Sequence, residues 1–375
     1  MKRFLRPALG GALLALGLAP ALAETVTYPD DPLVTLQTLR SFGVIYNNSL
    51  APSFTTDGAG YTKSTAVSGG SASAPTNLVT LNSGAAIDPN LVFGAFNGQD
   101  TAAVSYNRVV INGGTVSTTV CGGLHFSGTG NINASYNSVA INGGTVNFRV
   151  YGGHAFSASG NVTTTDNTVE ISGGTVDGWV VGGSGYSSSG ATEVRNNTVK
   201  ISGSPNLAGA RLYGGIAETS TGAATTSTGN TLQMATADLG VMGLADFQNF
   251  SFTLPANPAS WSNTVLTVTD TADIGTNSTV SVTAASGLSV AKGDVITLID
   301  AGSGLIGSVA AASQHGVLKG YEYTLSISGN KLLLAIDNPV PAATSTVVPT
   351  LSEYALALLA FILAVLTFIT LRRKV

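Results

Sequence analysis

Cysteine is nearly missing from this chain, with Cys121 the single one in 375 residues. No internal disulfide can form, and no Cys-x-x-Cys pair exists to bind metal or cycle between redox states. Charged residues are scarce too: they make up 10% of the chain, with a net charge of −4. An acidic, thinly charged chain is poorly suited to a phosphate backbone, so nucleic acid is not an expected partner. The three histidines, His125, His154 and His315, show no H-x-x-x-H spacing, and no phosphate-loop sequence occurs. No metal and no cofactor is therefore expected. Helical periodicity is absent through the middle of the chain, where Gly, Thr, Ser and Asn predominate, and that excludes a helical solenoid.

What the middle does contain is a repeat. Asn107, Asn137, Asn167 and Asn197 open the segments NRVVINGGTV, NSVAINGGTV, NTVEISGGTV and NTVKISGSPN at 30-residue intervals. Asn77 opens a decayed copy one interval earlier, and Asn230 opens another after a slightly longer step. A second motif keeps nearly the same spacing, as VCGG at 120–123, VYGG at 150–153, VVGG at 180–183 and LYGG at 212–215. Within each copy the local period is two, with Val109 and Ile111 alternating against Arg108, Val110 and Asn112. Three short strands with Gly-rich corners fill one interval, which predicts an all-β fold, a right-handed parallel β-helix. Equivalent residues would stack about 4.8 Å apart, and the Asn column would form an amide ladder. A blade-type propeller stays open as an alternative, although its usual period is longer.

The chain ends differ from this middle. Lys2, Arg3 and Arg6 precede an apolar stretch, and Ala21 and Ala23 frame a small-x-small cleavage site, so 1–23 reads as a secretory signal. At the other end, Val348-Pro349-Thr350-Leu351-Ser352-Glu353-Tyr354 leads into an unbroken apolar run, 355–371, and then a basic stop of Arg372, Arg373 and Lys374. Seventeen helical residues span about 25 Å, enough for a transmembrane α-helix with slight bilayer thinning. Its basic end should stay cytoplasmic. Without both end segments the chain carries 10 basic and 19 acidic residues.

The tail resembles the IPTL-CTERM sorting signal of Gram-negative envelope proteins, whose pattern is Ile-Pro-Thr-Leu-Ser-Glu-Trp, a hydrophobic segment and a terminal Arg cluster. Pro349, Thr350, Leu351, Ser352 and Glu353 match it, with Val348 for Ile and Tyr354 for Trp. The resemblance implies an exosortase-like processing enzyme as a partner, cutting near Val348–Leu351. The repeat texture from 77 to 235 resembles passenger domains of bacterial autotransporters and related adhesins, although no outer-membrane barrel follows it.

These readings divide the chain into a signal (1–23), an N-terminal cap or irregular segment (24–76) and the repeats (77–235). A less regular continuation of the solenoid (236–337), a Pro/Thr/Ser linker (338–347) and the sorting tail (348–375) follow. The expected function is that of an exported envelope or surface protein with an adhesive or structural β domain. The inner membrane would hold it by the C-terminal helix, with the β domain outside the cytoplasm, before transfer to the surface or release. One alternative is a carbohydrate-active β-helix enzyme, either lyase or hydrolase. Another is a permanently anchored periplasmic protein that binds polysaccharide.

Catalytic chemistry has thin support. Asp88, Asp166, Glu170, Asp177 and Glu193 are scattered, Glu170 and Asp177 are expected to face solvent, and a hydrolase needs two carboxylates held at a set separation. No catalytic residue is assigned. Cys121 shares a column with Tyr151, Val181 and Tyr213, which suggests a tolerant, partly exposed position. Phe126, Phe156 and Tyr186 form an aromatic column, read either as a register-locking stack or as a platform for sugar rings. Arg149, Tyr151 and Trp179 fall on two neighbouring outward columns and make the candidate patch for a polysaccharide or other surface ligand.

Overall fold

The computed structural model describes residues 24–28, 45–47, 71, 75–87, 90–97, 103–256, 262–341 and 351–372. The chain forms two compact units, Met1–Asn338 and Pro339–Val375.

Each repeat folds as one coil of a right-handed-type parallel β-solenoid of about seven turns. The first face stacks nine strands, among them Asn77–Leu81, Asn107–Ile111, Ser138–Ile141, Thr168–Ile171, Thr198–Ser202 and Thr231–Ala235. Register is one-to-one, so Val79, Val109, Val139, Val169, Val199 and Leu232 lie in one column. Leu81, Ile111, Ile141, Ile171, Ile201 and Met234 form the next inward column, and both are sealed from solvent. This coil-on-coil parallel pairing excludes the propeller, whose strands pair within a blade.

The second face is built from Thr119–Ser127, Arg149–Ser157, Trp179–Ser187 and Arg211–Thr219 with shorter flanking strands, and a third from Val104–Ser105, Ile132–Ser135, Val162–Thr165, Thr192–Arg195 and Thr225–Thr228. Two-residue strands such as Thr145–Val146 bridge the corner between the first two faces. The corner after the first face turns on Gly114, Gly144 and Gly174, at φ of 79°, 78° and 76°. The corner before it rarely uses glycine: Tyr106, Tyr136, Asp166 and Asn196 take φ between 54° and 60°, and Gly229 takes 70°, each just ahead of a ladder Asn. Side chains of this kind are uncommon in the left-handed region, which is why the sequence gives no sign of this turn.

The amide ladder is present and extends through six asparagines. Nδ2 of Asn77, Asn107, Asn137, Asn167 and Asn197 donates to Oδ1 of the next Asn at 2.8, 3.0, 3.2, 3.0 and 3.1 Å. Each acceptor oxygen from Asn137 onward also takes the backbone N–H of the preceding ladder residue, and Asn230 ends the column by donating its own N–H to Gln248 Oε1 at 3.0 Å. A buried polar column is thereby satisfied internally.

One expectation about glycine needs correction. The pairs of the V-x-G-G motif lie inside the second-face strands and not at corners. A Cβ on the second glycine of a pair would collide with the ladder: Gly123 with Asn137 Cγ at 2.5 Å, Gly183 with Asn197 Cγ at 2.6 Å and Gly215 with Asn230 Nδ2 at 2.6 Å. These positions are glycine because the amides fill the space that a side chain would take.

Beyond residue 235 the solenoid continues but its spacing breaks. Thr231 pairs with Asn249 after a much shorter step, because the third face has ended at Thr225–Thr228. The regular step returns between Asn249 and Thr279. Phe247, Phe250 and Phe252 fill the core of these last coils. The far end is closed by antiparallel strands: Val295–Ala301 pairs with Lys331–Pro339, and His315–Leu318 pairs with Tyr321–Ser328. At the leading end, Glu24–Tyr28 extends the first face and Ile45–Asn47 pairs antiparallel with Asn90–Phe93. Apart from 71, 75 and 76, the rest of the expected cap lies outside the described residues.

The second unit contains one helix, Leu351–Arg372, of 22 residues. It starts before the expected 355, so Leu351, Ser352, Glu353 and Tyr354 are helical. The sequence explains the early start: Thr350 stands immediately before the helix and Glu353 three positions later, the spacing of a capping box. Side chains from Tyr354 to Ile369 are exposed. The transmembrane reading is not met on the described part, since no helix among the described residues is long and apolar enough to cross a membrane.

Candidate functional site: the outer furrow of the second face

In a flat strand, residues three apart lie on opposite faces. Here Phe93 packs on Phe96 at 5.7 Å between ring centroids, and Tyr151 stacks on His154 at 4.8 Å. The small residues between them, Gly94-Ala95 in one coil and Gly152-Gly153 in another, let the strand bend so that both flanking side chains meet on its outer side. Repetition over the coils makes a furrow along the solenoid. One wall is the column Cys121, Tyr151, Val181 and Tyr213, and the other is Leu124, His154, Ser184 and Ile216. Phe93, Phe96, Cys121, Tyr151 and Val181 form a buried cluster separate from the solenoid core, flanked by half-buried Leu124, Trp179, Tyr213 and Ile216.

Two expectations change accordingly. Cys121 is 4% exposed, not partly open. Burial pushes its thiol up to about 12, and Sγ donates to the Gly123 carbonyl at 3.0 Å, so it has no nucleophilic character at neutral pH. Tyr151, placed in an exposed patch from its column, is 6% exposed and belongs to the buried part of the furrow wall.

Arg149 and Trp179 are half-buried neighbours in one column. The guanidinium lies between two rings, with Cζ 4.5 Å from the Phe148 centroid and 4.4 Å from that of Trp179. Its Nη1 donates to the Tyr151 hydroxyl at 3.4 Å, while Nε is sealed with no partner. Tyr213 packs on Trp179 at 5.3 Å, tilted by 54°.

His154 has a second sealed, unpartnered atom, Nδ1. Burial, and secondarily the charge of Arg149, lower its pKa to about 4. The unfolded chain therefore takes up a proton near pH 6.5 that the folded chain refuses until about 4. Stability is expected to fall as pH drops across that window and to level off below it, with a loss on the order of 2 kcal/mol because part of the residue still meets solvent. Denaturant melts at pH 7 and pH 4.5 check this. In His154→Leu, which carries the residue found at Leu124, this share of the loss should vanish.

The aromatic column Phe126, Phe156 and Tyr186 is a tight stack, with centroids 4.9 Å apart and ring planes within 2° and 9° of parallel. Neighbouring rings turn their faces to one another, so the column is a register lock and not a flat sugar platform.

The scattered acids do not converge. Glu170 is tied to Lys200 Nζ at 2.9 Å on the first face, Glu193 to Arg195 at 2.9 Å on the third, and Asp177 is exposed at a corner. His125 is buried beneath the second face with Nδ1 3.0 Å from the Asn133 carbonyl, on the opposite side of the strand from the outward column that holds His154. Among the described residues no group of three or more His, Cys, Asp or Glu could hold a metal ion.

Fold and tail together define a β-solenoid with a separate apolar C-terminal helix. Residues 346–373 match the IPTL-CTERM motif, a sorting motif that spans Val348 to Tyr354 and reaches Arg372 and Arg373. No curated protein and no solved structure matches the chain. Motif and fold together mark an exported or surface protein. Ala21, Ala23, Val348, Pro349, Thr350, Arg373 and Lys374 lie outside the described residues.

Proposed function

We propose that this is an envelope protein with an adhesive or structural solenoid, exported by its N-terminal signal and held in the inner membrane by its C-terminal helix. The observation that carries the reading is the order of parts: a folded β unit ending at Asn338, a sorting motif, then an apolar helix with outward-facing Leu, Ile, Val and Phe. The unbroken apolar run 355–371 supports the anchoring reading, since seventeen helical residues rise about 25 Å, the span of a thinned bilayer. An exosortase-like enzyme then cuts the tail. Cleaving enzymes bind extended backbone, and a helix that starts at Leu351 is consistent with a cut near Val348–Leu351.

In this reading the chain is the substrate of processing and not itself an enzyme. The pairing of Glu170 with Lys200 and the isolation of Asp177 support that, since neither is poised beside a second carboxylate. Mass spectrometry of the C-terminal peptide from separated envelope fractions tests the sorting step. A new terminus near Val348–Leu351, on material outside the inner membrane, is the expected result. An intact end confined to the inner membrane would reduce the tail to a plain anchor.

A further inference from the structure

Among the described residues, four cations are compensated: Arg195 by Glu193, Lys200 by Glu170, Arg211 by Asp270 and Lys331 by Asp300. Arg149 is not. It makes no ion pair, its single hydrogen bond is the long one to Tyr151, and two rings hold its guanidinium plane. A half-buried cation with no counter-ion, within 4.5 Å of two ring centroids, loses hydration that no ion pair restores. With Nε sealed, the Nη end of the guanidinium is what remains to meet a carboxylate. Glu218, an acid on this face, is exposed and sits in the Phe126–Tyr186 column, where it makes no ion pair.

The surroundings narrow the ligand. The furrow runs along the solenoid axis with a coil about every 4.8 Å, which suits an extended chain better than a compact solute. Half-buried Trp179, Tyr213, Leu124 and Ile216 line it, so its walls are apolar while its one uncompensated charge is positive. We infer that the Arg149 edge of this furrow binds a carboxylate-bearing polysaccharide, with Arg149 as the acid-recognising group and Trp179 as the residue that holds it in plane. This rests on the reading of the solenoid as the outward-facing domain of an envelope protein.

The test uses the full-length chain in detergent micelles, with polygalacturonate as probe, dextran as neutral control and poly-glutamate as a carboxylate polymer without sugar. Polygalacturonate should bind, dextran should not, and poly-glutamate should bind clearly more weakly. Arg149→Gln should weaken polygalacturonate binding by about ten-fold or more. Arg195→Gln, which removes an exposed cation on the third face, should leave it unchanged. Equal binding by Arg149→Gln, equal binding of dextran, or equal binding of poly-glutamate would each overturn the assignment. Should Arg149→Gln fail to fold, a Trp261→Phe chain leaves Trp179 as the sole tryptophan. Its emission must then shift on adding polygalacturonate, and an unchanged spectrum rejects the site. Tail processing is read separately by mass, so a failed binding test leaves the sorting assignment intact.

Discussion

Asn167→Ala is expected to destabilise the solenoid by about 3–5 kcal/mol, a large share of the stability of an ordinary domain. The substitution removes an acceptor that takes both the backbone N–H of Asn137, at 2.9 Å, and its Nδ2, at 3.2 Å. It also removes the donor that Ala134 O receives at 2.9 Å. Each buried group left without a partner costs about 1–3 kcal/mol, and the cavity adds to that. A one-dimensional stack should then melt first around the gap. Denaturant unfolding, read beside hydrogen exchange of residues 137–171, checks both points. An exposed ladder supplies the control: Asn142 donates to Asn112 at 2.9 Å at the surface, and Asn142→Ala should change stability by no more than about 0.5 kcal/mol.

Gly183→Ala should have an effect of similar size by the opposite route. The added methyl would lie 2.6 Å from the Asn197 amide, which is itself pinned by bonds to Thr164 O and Asn230 Oδ1 at 3.2 and 3.1 Å. The amide cannot swing away without breaking the ladder, so overpacking and lost hydrogen bonds add to about 3 kcal/mol or more. Gly128→Ala is the comparison, because nothing lies within 4 Å of its new methyl. Thermal melts of the two variants should differ by several degrees. Equal melts would mean that the ladder relaxes freely, and the account of the V-x-G-G motif would fall.

The repeat was readable because each copy meets the same neighbours above and below, so one pattern is written into the sequence again and again. The Asn at 107, 137, 167 and 197 is a clear instance: an amide both donates and accepts along the column at once. What failed to show was anything that depends on the path between faces. The loss of the third face after Thr225–Thr228 shortens one coil and hides the later ones from any fixed spacing. The turn at Tyr106, Tyr136, Asp166 and Asn196 carries no shared residue type, since the backbone there is held by the ladder that follows.

The candidate patch was half readable for a related reason. Alternation places Arg149, Tyr151 and Trp179 outward, but outward is not the same as exposed. The Gly pair bends the strand and folds Tyr151 against His154, an effect that alternation cannot express. A Cβ on Gly153 would lie 2.6 Å from Asn167 Cγ, and this is the link between the two motifs that spacing alone does not reveal. In the tail, the motif's own Thr350 and Glu353 spacing announces the helix start, so the early onset at Leu351 was present in the sequence as a capping signal.

The antiparallel strands that close the far end give the solenoid a fixed stop, while the ladder makes its middle a countable ruler. Removing or duplicating the segment from 137 to 166 would hand each Asn an identical neighbour and leave both ends untouched. The length of the solenoid can therefore change only in whole notches of about 4.8 Å. The stretch of furrow offered to a ligand is set by copy number.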